Sequence, residues 1–159
     1  MDINISFKVI LSIFVGVLVI GMSALFSRLP KFHRVKFLSR THEYENCYTY
    51  LFEKGDVQFE AGQYGHILPR LLPSKTFVRE MSFSSDPTDE KTFQITMHTD
   101  PLSQFKIAMQ GLVEGDYITV FKVKGKFTLP KVPQAPLVFI AGGVGMTPFR
   151  SMILQANKL

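Results

Sequence analysis

"TFVREMSFSS", residues 76–85, is a short stretch of apolar and β-branched residues that ends in turn-forming residues, a pattern that predicts a β-strand. Strands of this length recurring at short intervals are typical of an antiparallel barrel or sandwich. Five further stretches have the same character: HRVKFLSR (33–40), CYTYLFE (47–53), GQYGHIL (62–68), TFQITMH (92–98) and DYITVFKV (116–123). The chain after residue 32 is therefore predicted to be mainly β.

One segment departs from this pattern. In PLSQFKIAMQGLVEGD, residues 101–116, Pro101 and Ser103 precede apolar residues at roughly helical spacing, and Gly111 ends the run. This arrangement predicts one short helix that crosses the barrel.

The composition changes again after the last strand. Pro130, Pro133 and Pro136 indicate a linker over residues 131–136. The apolar run PLVFI, residues 136–140, then leads to AGGVGMTPFR, residues 141–150, which predicts the first strand–loop–helix unit of a parallel α/β sheet over residues 137–159.

The glycines of this loop suggest a dinucleotide-binding site. Gly142, Gly143 and Gly145 would allow a dinucleotide to approach the backbone at the positive end of a helix, where Thr147 would be the N-cap and Pro148 the first helical residue. Loops rich in glycine also serve only to turn a strand into a helix, so the loop alone leaves both interpretations open.

Arg79 and Ser82 offer a second candidate site. Arginine suits a phosphate or pyrophosphate, and the serine adds a hydroxyl on the same strand. Residues three apart on a strand point to opposite faces, so a ligand that meets both must run along the strand or bend around it. A surface ion pair and an outward polar residue are the structural alternative.

The N-terminal region predicts a membrane anchor. After a short segment, residues 1–8, VILSIFVGVLVIGMSALFS, residues 9–27, contains no charge, and its nineteen residues would span roughly 28 Å as a helix. A cleaved signal peptide, the competing explanation, would have a shorter apolar region that follows its basic charges. Here only Lys8 precedes the apolar run.

Cations instead follow the apolar run, in a basic juxtamembrane linker over residues 28–34 and just beyond it. Flanks of this kind stay on the cytoplasmic side, so the remainder of the chain is expected in the cytosol. The flank also accounts for much of the net charge of +5. This charge is therefore better explained by anionic lipid headgroups as its partner than by nucleic acid. The residues concerned are Arg28, Lys31, Arg34, Lys36 and Arg40, with no acidic residue before Glu43.

Several other classes of site are excluded. Cys47 is the one cysteine, which rules out an internal disulfide and a four-cysteine iron–sulfur site, and it is expected to be a small buried hydrophobe. The four histidines lack metal-ligand spacing, so no metal site is expected. His66 is either a structural histidine or a barrel-wall residue near a ligand.

Four motifs in order resemble the ferredoxin–NADP reductase family: AGQYGHIL (61–68), REMSFSS (79–85), VEGDYITVFKVKGKFTLP (113–130) and AGGVGMTP (141–148). The resemblance covers residues 35–154. It implies an antiparallel Greek-key flavin-binding barrel over residues 35–130, followed by an incomplete NAD(P)-binding domain.

The resemblance also implies roles for residues on the predicted strands. Arg79 matches the arginine that holds the flavin's phosphate groups, and Ser82 matches the hydroxyl residue near flavin N5, the one residue to which a catalytic role is given. Met81 stands where the family usually has an aromatic residue against the flavin. His98 and Thr99 match positions whose backbone meets the ribityl and adenosine portions.

The remaining cofactor contacts lie further along the chain. Ser103 matches a phosphate contact at the start of the short helix. Gly142, Gly143 and Gly145 match the loop near the dinucleotide, and Thr147 and Pro148 match residues that close the pocket beside the flavin.

The expected function is that of a membrane-anchored NAD(P)H-dependent flavoprotein oxidoreductase, with FAD as cofactor and FMN as an alternative. NAD(P)H is the expected co-substrate, and the electron acceptor is not identified by the sequence. The alternative is a non-catalytic membrane-anchored module that binds a flavin or a protein partner.

Overall fold

A computed structural model describes residues 12–22, 30–69, 78–100, 103–130 and 136–157, and the chain divides into two compact units, Met1–Lys31 and Phe32–Leu159. In the first unit, residues 12–22 form helix α1. None of the helices in the described ranges is both long enough and apolar enough to cross a bilayer. Residues 9–11 and 23–27 of the predicted anchor lie outside those ranges, so the anchor remains a prediction.

The second unit is built from antiparallel strands, as the sequence predicts. The sheet order is β4-β3-β6-β1-β2-β5, and an antiparallel bridge between Phe83 and Ile95 joins its two end strands into a barrel. The strands are β1 (Phe32–Tyr44), β2 (Cys47–Glu53), β3 (Tyr64–Leu68), β4 (Arg79–Ser82), β5 (Thr92–His98) and β6 (Tyr117–Lys124). The mainly β antiparallel fold is therefore confirmed.

Strand β1 serves both halves of the barrel. It begins at Phe32, so Arg34 lies on the strand rather than in a linker. Residues 32–36 pair with β6, and residues 37–44 pair with β2. Phe37 marks the change of partner, where its carbonyl accepts a hydrogen bond from the Gly115 backbone at 3.0 Å.

Aromatic side chains fill the barrel interior. The rings of Phe52 and Phe93 stack at 5.3 Å between centroids, and those of Phe59 and Phe83 stack at 4.1 Å. Burial of each such ring contributes about 1.5–3 kcal/mol to folding. Cys47 is also buried, with 1% of its surface exposed, which confirms that it is a small core residue.

The predicted short helix is present as α2 (Gln104–Gln110). Ser103 is its N-cap and accepts a hydrogen bond from the Lys106 backbone at 3.3 Å, while Gly111 is its C-cap. The cap residues were correctly indicated by the sequence.

The region after the barrel differs from the prediction in two ways. Residues 136–142 form no strand, and Val138 and Ile140 are 83% and 88% exposed. A strand requires a hydrogen-bonding neighbour, and the described part of the chain offers none there. The expected βα unit is present only as its helix, α3 (Met146–Ala156).

The start of α3 also differs. A 3-10 turn, Gly143–Gly145, runs directly into the helix, and Gly145 rather than Thr147 is its N-cap. The hydroxyl of Thr147 donates to the Val144 carbonyl at 2.9 Å instead. Pro148 is the third helical residue, where a missing N–H costs nothing because first-turn amides have no intrahelical acceptor.

Gly62 allows α3 to lie close to the barrel. Its φ is +95°, and a Cβ there would overlap the Phe127 carbonyl and the methyl group of Met152. Met152 of α3 is 2% exposed. The glycine therefore permits a close approach that any larger residue would block.

Candidate functional site

Strand β4 presents two polar side chains, Arg79 and Ser82, whose hydrogen-bonding groups are not all used by described residues. The Arg79 side chain is exposed, and within the described ranges its one hydrogen bond runs from Nη1 to the adjacent Val78 carbonyl, at 3.0 Å. Ser82 is half-buried, and its hydroxyl makes no hydrogen bond with a described residue. Most of the donors of a guanidinium group thus remain available for an anion.

The pairing of β4 with β3 fixes the directions of these side chains. Arg79 lies opposite Ile67, and Ser82 lies opposite Tyr64. Directly opposed residues point to the same face. Arg79 therefore lies on the face of the buried Ile67, and Ser82 lies on the opposite face with Tyr64. The register confirms the opposite facing expected from their spacing.

Met81 lies between them and packs partly into the core. It is opposite Gly65, where a Cβ would lie 3.2 Å from the Phe83 ring. Met81 itself is half-buried against the hydrophobic core. A flexible thioether therefore occupies the space beside a glycine, a role that suits methionine.

Helix α3 is attached to the segment that directly follows β4. Arg150 donates from Nη1 to the Ser84 carbonyl and, at 2.9 Å, to Oε1 of Gln94. The buried Ser151 hydroxyl donates to the Ser85 carbonyl at 2.6 Å. These bonds hold α3, the helix that follows the glycine loop, against residues 84–85 and against Gln94 of β5.

The glycine loop itself lies against the end of β5. Gly143 has φ +52°, and a Cβ there would lie 3.6 Å from His98 Nε2 and 3.8 Å from the Tyr44 hydroxyl. Gly142 and Gly145 have no surrounding atom within 4 Å of that position, so the backbone of the loop is accessible. The structure thus brings two sequence-predicted site residues, Gly143 and His98, together.

Tyr44 and His98 support the loop as a pair. Their rings meet edge-to-face at 5.7 Å, and the Tyr44 hydroxyl lies 3.4 Å from Nε2 of His98. Desolvation and then the nearby Cys47 raise the pKa of the Tyr44 phenol above its usual value.

Thr99 and Ser103 differ from the residues of β4, because their side chains already have structural partners. Thr99 is 3% exposed, and both its backbone N–H and its hydroxyl donate to the Asn46 carbonyl, at 2.8 and 3.0 Å. The Ser103 hydroxyl caps α2. The backbone N–H and the O–H of Thr99 are thus both committed to Asn46, and neither is free to donate to a ligand.

His66 has an environment that favours the structural interpretation. Its Nε2 lies 3.2 Å from the Glu80 carboxylate, which also lies 3.7 Å from Lys124 Nζ. The ring also packs 5.2 Å from that of Phe121. No group of three or more potential metal ligands occurs in the described ranges.

Sequence reasoning missed Tyr44, Arg150 and Ser151. Tyr44 ends a strand and resembles any exposed aromatic residue. Arg150 and Ser151 are polar residues in an otherwise apolar helical run, and that interruption was the available signal. Only the docking of the helix shows what they bond.

Comparisons with known proteins agree with this geometry. No model of a known protein family matches the chain. It is 36% identical over 97 residues to a flavohemoprotein of Bacillus subtilis, a match that covers 60% of this chain and 24% of that protein. It is 31% identical over 108 residues to the reductase component of propane 2-monooxygenase from Mycolicibacterium smegmatis, covering 67% of this chain and 30% of that protein.

Solved structures show the same fold. Phthalate dioxygenase reductase superposes with a TM-score of 0.68 at 23% identity, over 80% of this chain and 40% of that chain. A ferredoxin–NADP reductase from Neisseria gonorrhoeae, with bound FAD and NADP, gives 0.63 at 22% identity, over 80% and 52%. The chain spans less than a third of the length of the two curated relatives. The resemblance is thereby confirmed: the chain has the fold of the ferredoxin–NADP reductase family and is similar in sequence to reductases of that kind.

Proposed function

We propose that the chain is a membrane-anchored flavoprotein oxidoreductase that transfers electrons between NAD(P)H and an acceptor by way of FAD. The observation that carries this proposal is the attachment of α3 to Ser84 and Ser85. It holds α3, which directly follows the accessible glycine loop, against the two residues that come just after the strand of Arg79 and Ser82.

The described residues fit a flavin nucleotide. Arg79 offers an exposed guanidinium without a carboxylate partner in the described ranges, which suits the pyrophosphate of FAD or the terminal phosphate of FMN. The unbonded hydroxyl of Ser82 is available to a polar edge of the ring system. The flavin supplies the redox chemistry, accepting a hydride and passing electrons on.

The glycine loop supplies the other half of the proposed site. The open backbone at Gly142 and Gly145 permits a dinucleotide to lie against it, and Gly143 lies near His98 and Tyr44. Hydride transfer requires the two reacting atoms ~3–3.5 Å apart, so a rigidly held loop contributes by positioning.

A separate electron acceptor is part of the proposal. The similar Mycolicibacterium protein is a reductase component, and the phthalate dioxygenase reductase structure is described as a module for electron transfer from pyridine nucleotides to an iron–sulfur centre. Both support an acceptor that is itself a redox centre.

Two spectra of the purified full chain test this function. A flavin absorption band that survives gel filtration is expected, and anaerobic NADH or NADPH should bleach it. A band that neither nucleotide bleaches would favour the alternative, a non-catalytic flavin-binding module. A colourless chain that binds no added FAD or FMN would contradict the flavin site itself.

The membrane anchor is proposed from the uncharged residues 9–27 and the cations that follow them. The C-terminal unit is then cytosolic. A C-terminal tag should resist protease in sealed cells or right-side-out spheroplasts and be digested after permeabilisation. Digestion before permeabilisation would reverse the orientation.

A further inference from the structure

A basic and aromatic surface lies at the end of the barrel where β1 begins. We call it the basic corner and define it as residues 32–36 and 121–127. Phe32 is 64% exposed and Phe127 is 57% exposed, although both are large apolar residues. In the segment FKVKGKF, residues 121–127, three exposed lysines alternate with Phe121, Val123, Gly125 and Phe127.

Strand pairing places the main groups of the corner on one face. Phe32 lies opposite Phe121, and their rings stack at 5.0 Å. Arg34 is two residues further along β1, on the same face, and its guanidinium lies 4.2 Å from the centre of the Tyr117 ring. The opposite face of these strands, with Val35 and Ile118, is buried in the core.

Positive charge predominates at the corner. Only two of its cations lie within ion-pair distance of a carboxylate in the described ranges: Lys36 is 3.9 Å from Glu53, and Lys124 is 3.7 Å from Glu80. The cations are Arg34, Lys36, Lys122, Lys124 and Lys126. Exposed aromatic rings among lysines and arginines are typical of a surface that contacts anionic lipid headgroups.

Chain connectivity favours lipid over any other anionic partner. Four residues separate residue 27, the end of the proposed anchor, from Phe32, and the five fully extended steps between them reach about 18 Å at most. The first residue of β1 therefore cannot lie far from the bilayer surface. The Debye length at ~0.1 M salt is ~10 Å, so attraction becomes effective once the corner lies within about that distance of the bilayer surface.

We propose that the basic corner docks on anionic lipid, with the Phe32 end of β1 facing the bilayer and the Tyr44 end facing away. This inference rests on the membrane anchor of the proposed function. Docking would give the barrel a fixed orientation on the membrane instead of leaving it free on its tether.

The chain contains no tryptophan, so a single introduced tryptophan reports its own surroundings. We would place it at either end of the thirteen-residue strand β1, as Phe32→Trp or as the matched control Tyr44→Trp. Each full-length variant is reconstituted in nanodiscs of phosphatidylcholine alone or mixed with phosphatidylglycerol. Lipids brominated high in the acyl chain quench only a tryptophan that touches the bilayer.

Docking predicts quenching at position 32 in discs that contain phosphatidylglycerol, its loss in phosphatidylcholine or at ~1 M salt, and no quenching at position 44. A chain that stays in the disc fraction without quenching at 32, or with equal quenching in both lipids, overturns the docking and leaves the anchor intact. A chain absent from the disc fraction overturns the anchor and the docking together.

Charge variants provide an independent measure. Replacement of Lys122 and Lys126 by glutamine should lower the ratio of docked to undocked chain. The expected decrease is roughly fivefold for each lysine, and quenching at position 32 measures it. Lys106→Gln, in α2, is the control and should leave the ratio unchanged. Equal effects of the two sets would overturn the assignment of the corner.

Discussion

Two parts of the proposed flavin site use the same kinds of residue in different ways. On β4, Arg79 and Ser82 have donors that no described partner uses. Between β5 and α2, the Thr99 hydroxyl already donates to the Asn46 carbonyl, and the Ser103 oxygen already accepts from the Lys106 amide as a helix cap. A motif match identifies a position, whereas the hydrogen bonds show whether its side chain is available to a ligand.

The comparison predicts that β4 variants change ligand affinity and that variants of the β5–α2 connection change stability. The largest effect is expected from Arg79→Ala. Charge-assisted hydrogen bonds to phosphate contribute about 1.5–3 kcal/mol each, so flavin affinity should fall at least tenfold, as measured by titration of the apoprotein.

Stability should change little in that variant, because the Arg79 side chain is exposed and, among the described residues, bonds only its neighbour's carbonyl. Arg79→Lys is the matched control, since it keeps the charge and loses the forked geometry, and it should give an intermediate affinity. Unchanged affinity in Arg79→Ala would remove β4 from the flavin site.

Thr99→Val tests the other side of the comparison. The substitution preserves shape and removes one hydrogen bond to the Asn46 carbonyl, which keeps its bond from the Thr99 backbone. The free energy of unfolding, from urea denaturation of the apoprotein, should fall by about 1 kcal/mol, with flavin affinity unchanged. A loss of affinity at constant stability would assign Thr99 to the ligand instead.

The same distinction explains what the sequence could predict. Strands β2 and β5 match their predicted bounds, because alternating apolar residues and turn residues are local signals. The run PLVFI carries an equally strong local signal, yet forms no strand, since pairing depends on a neighbour. Thr147 was expected to be the N-cap of α3. It is not, because the 3-10 turn continues into the helix and makes Gly145 the N-cap.

The site shows the same limits. Arg79, Ser82 and the glycine loop were recognisable by type and order, and their joint contact with one ligand stays a prediction. Tyr44 could not be predicted, because its contact with His98 joins residues that are 54 positions apart.

Ser103→Ala should have a smaller effect than Thr99→Val. Its hydroxyl accepts one hydrogen bond at 3.3 Å at the start of a seven-residue helix, so a loss of about 0.5 kcal/mol is expected. Ser103→Asp, which restores a cap, should recover the stability in the same urea experiment. Recovery of stability with loss of flavin affinity would show that an anion binds at this helix start, because the added carboxylate would repel it.

The smallest effect is expected from Asp89, in the turn between β4 and β5, and it should appear only in acid. The Asp89 carboxylate accepts hydrogen bonds from the Lys91 backbone at 2.8 Å and from the Thr92 hydroxyl at 2.8 Å, and these bonds lower its pKa below the usual value. A carboxyl group with a lowered pKa in the folded state contributes stability above its unfolded pKa of about 3.9, and loses it as the pH falls through the folded value. Asp89→Asn should therefore be less stable than the parent chain at pH ~7, and the two unfolding curves should converge below pH ~4. A difference that is constant across this range would show that the charge of Asp89 has no part in holding the turn.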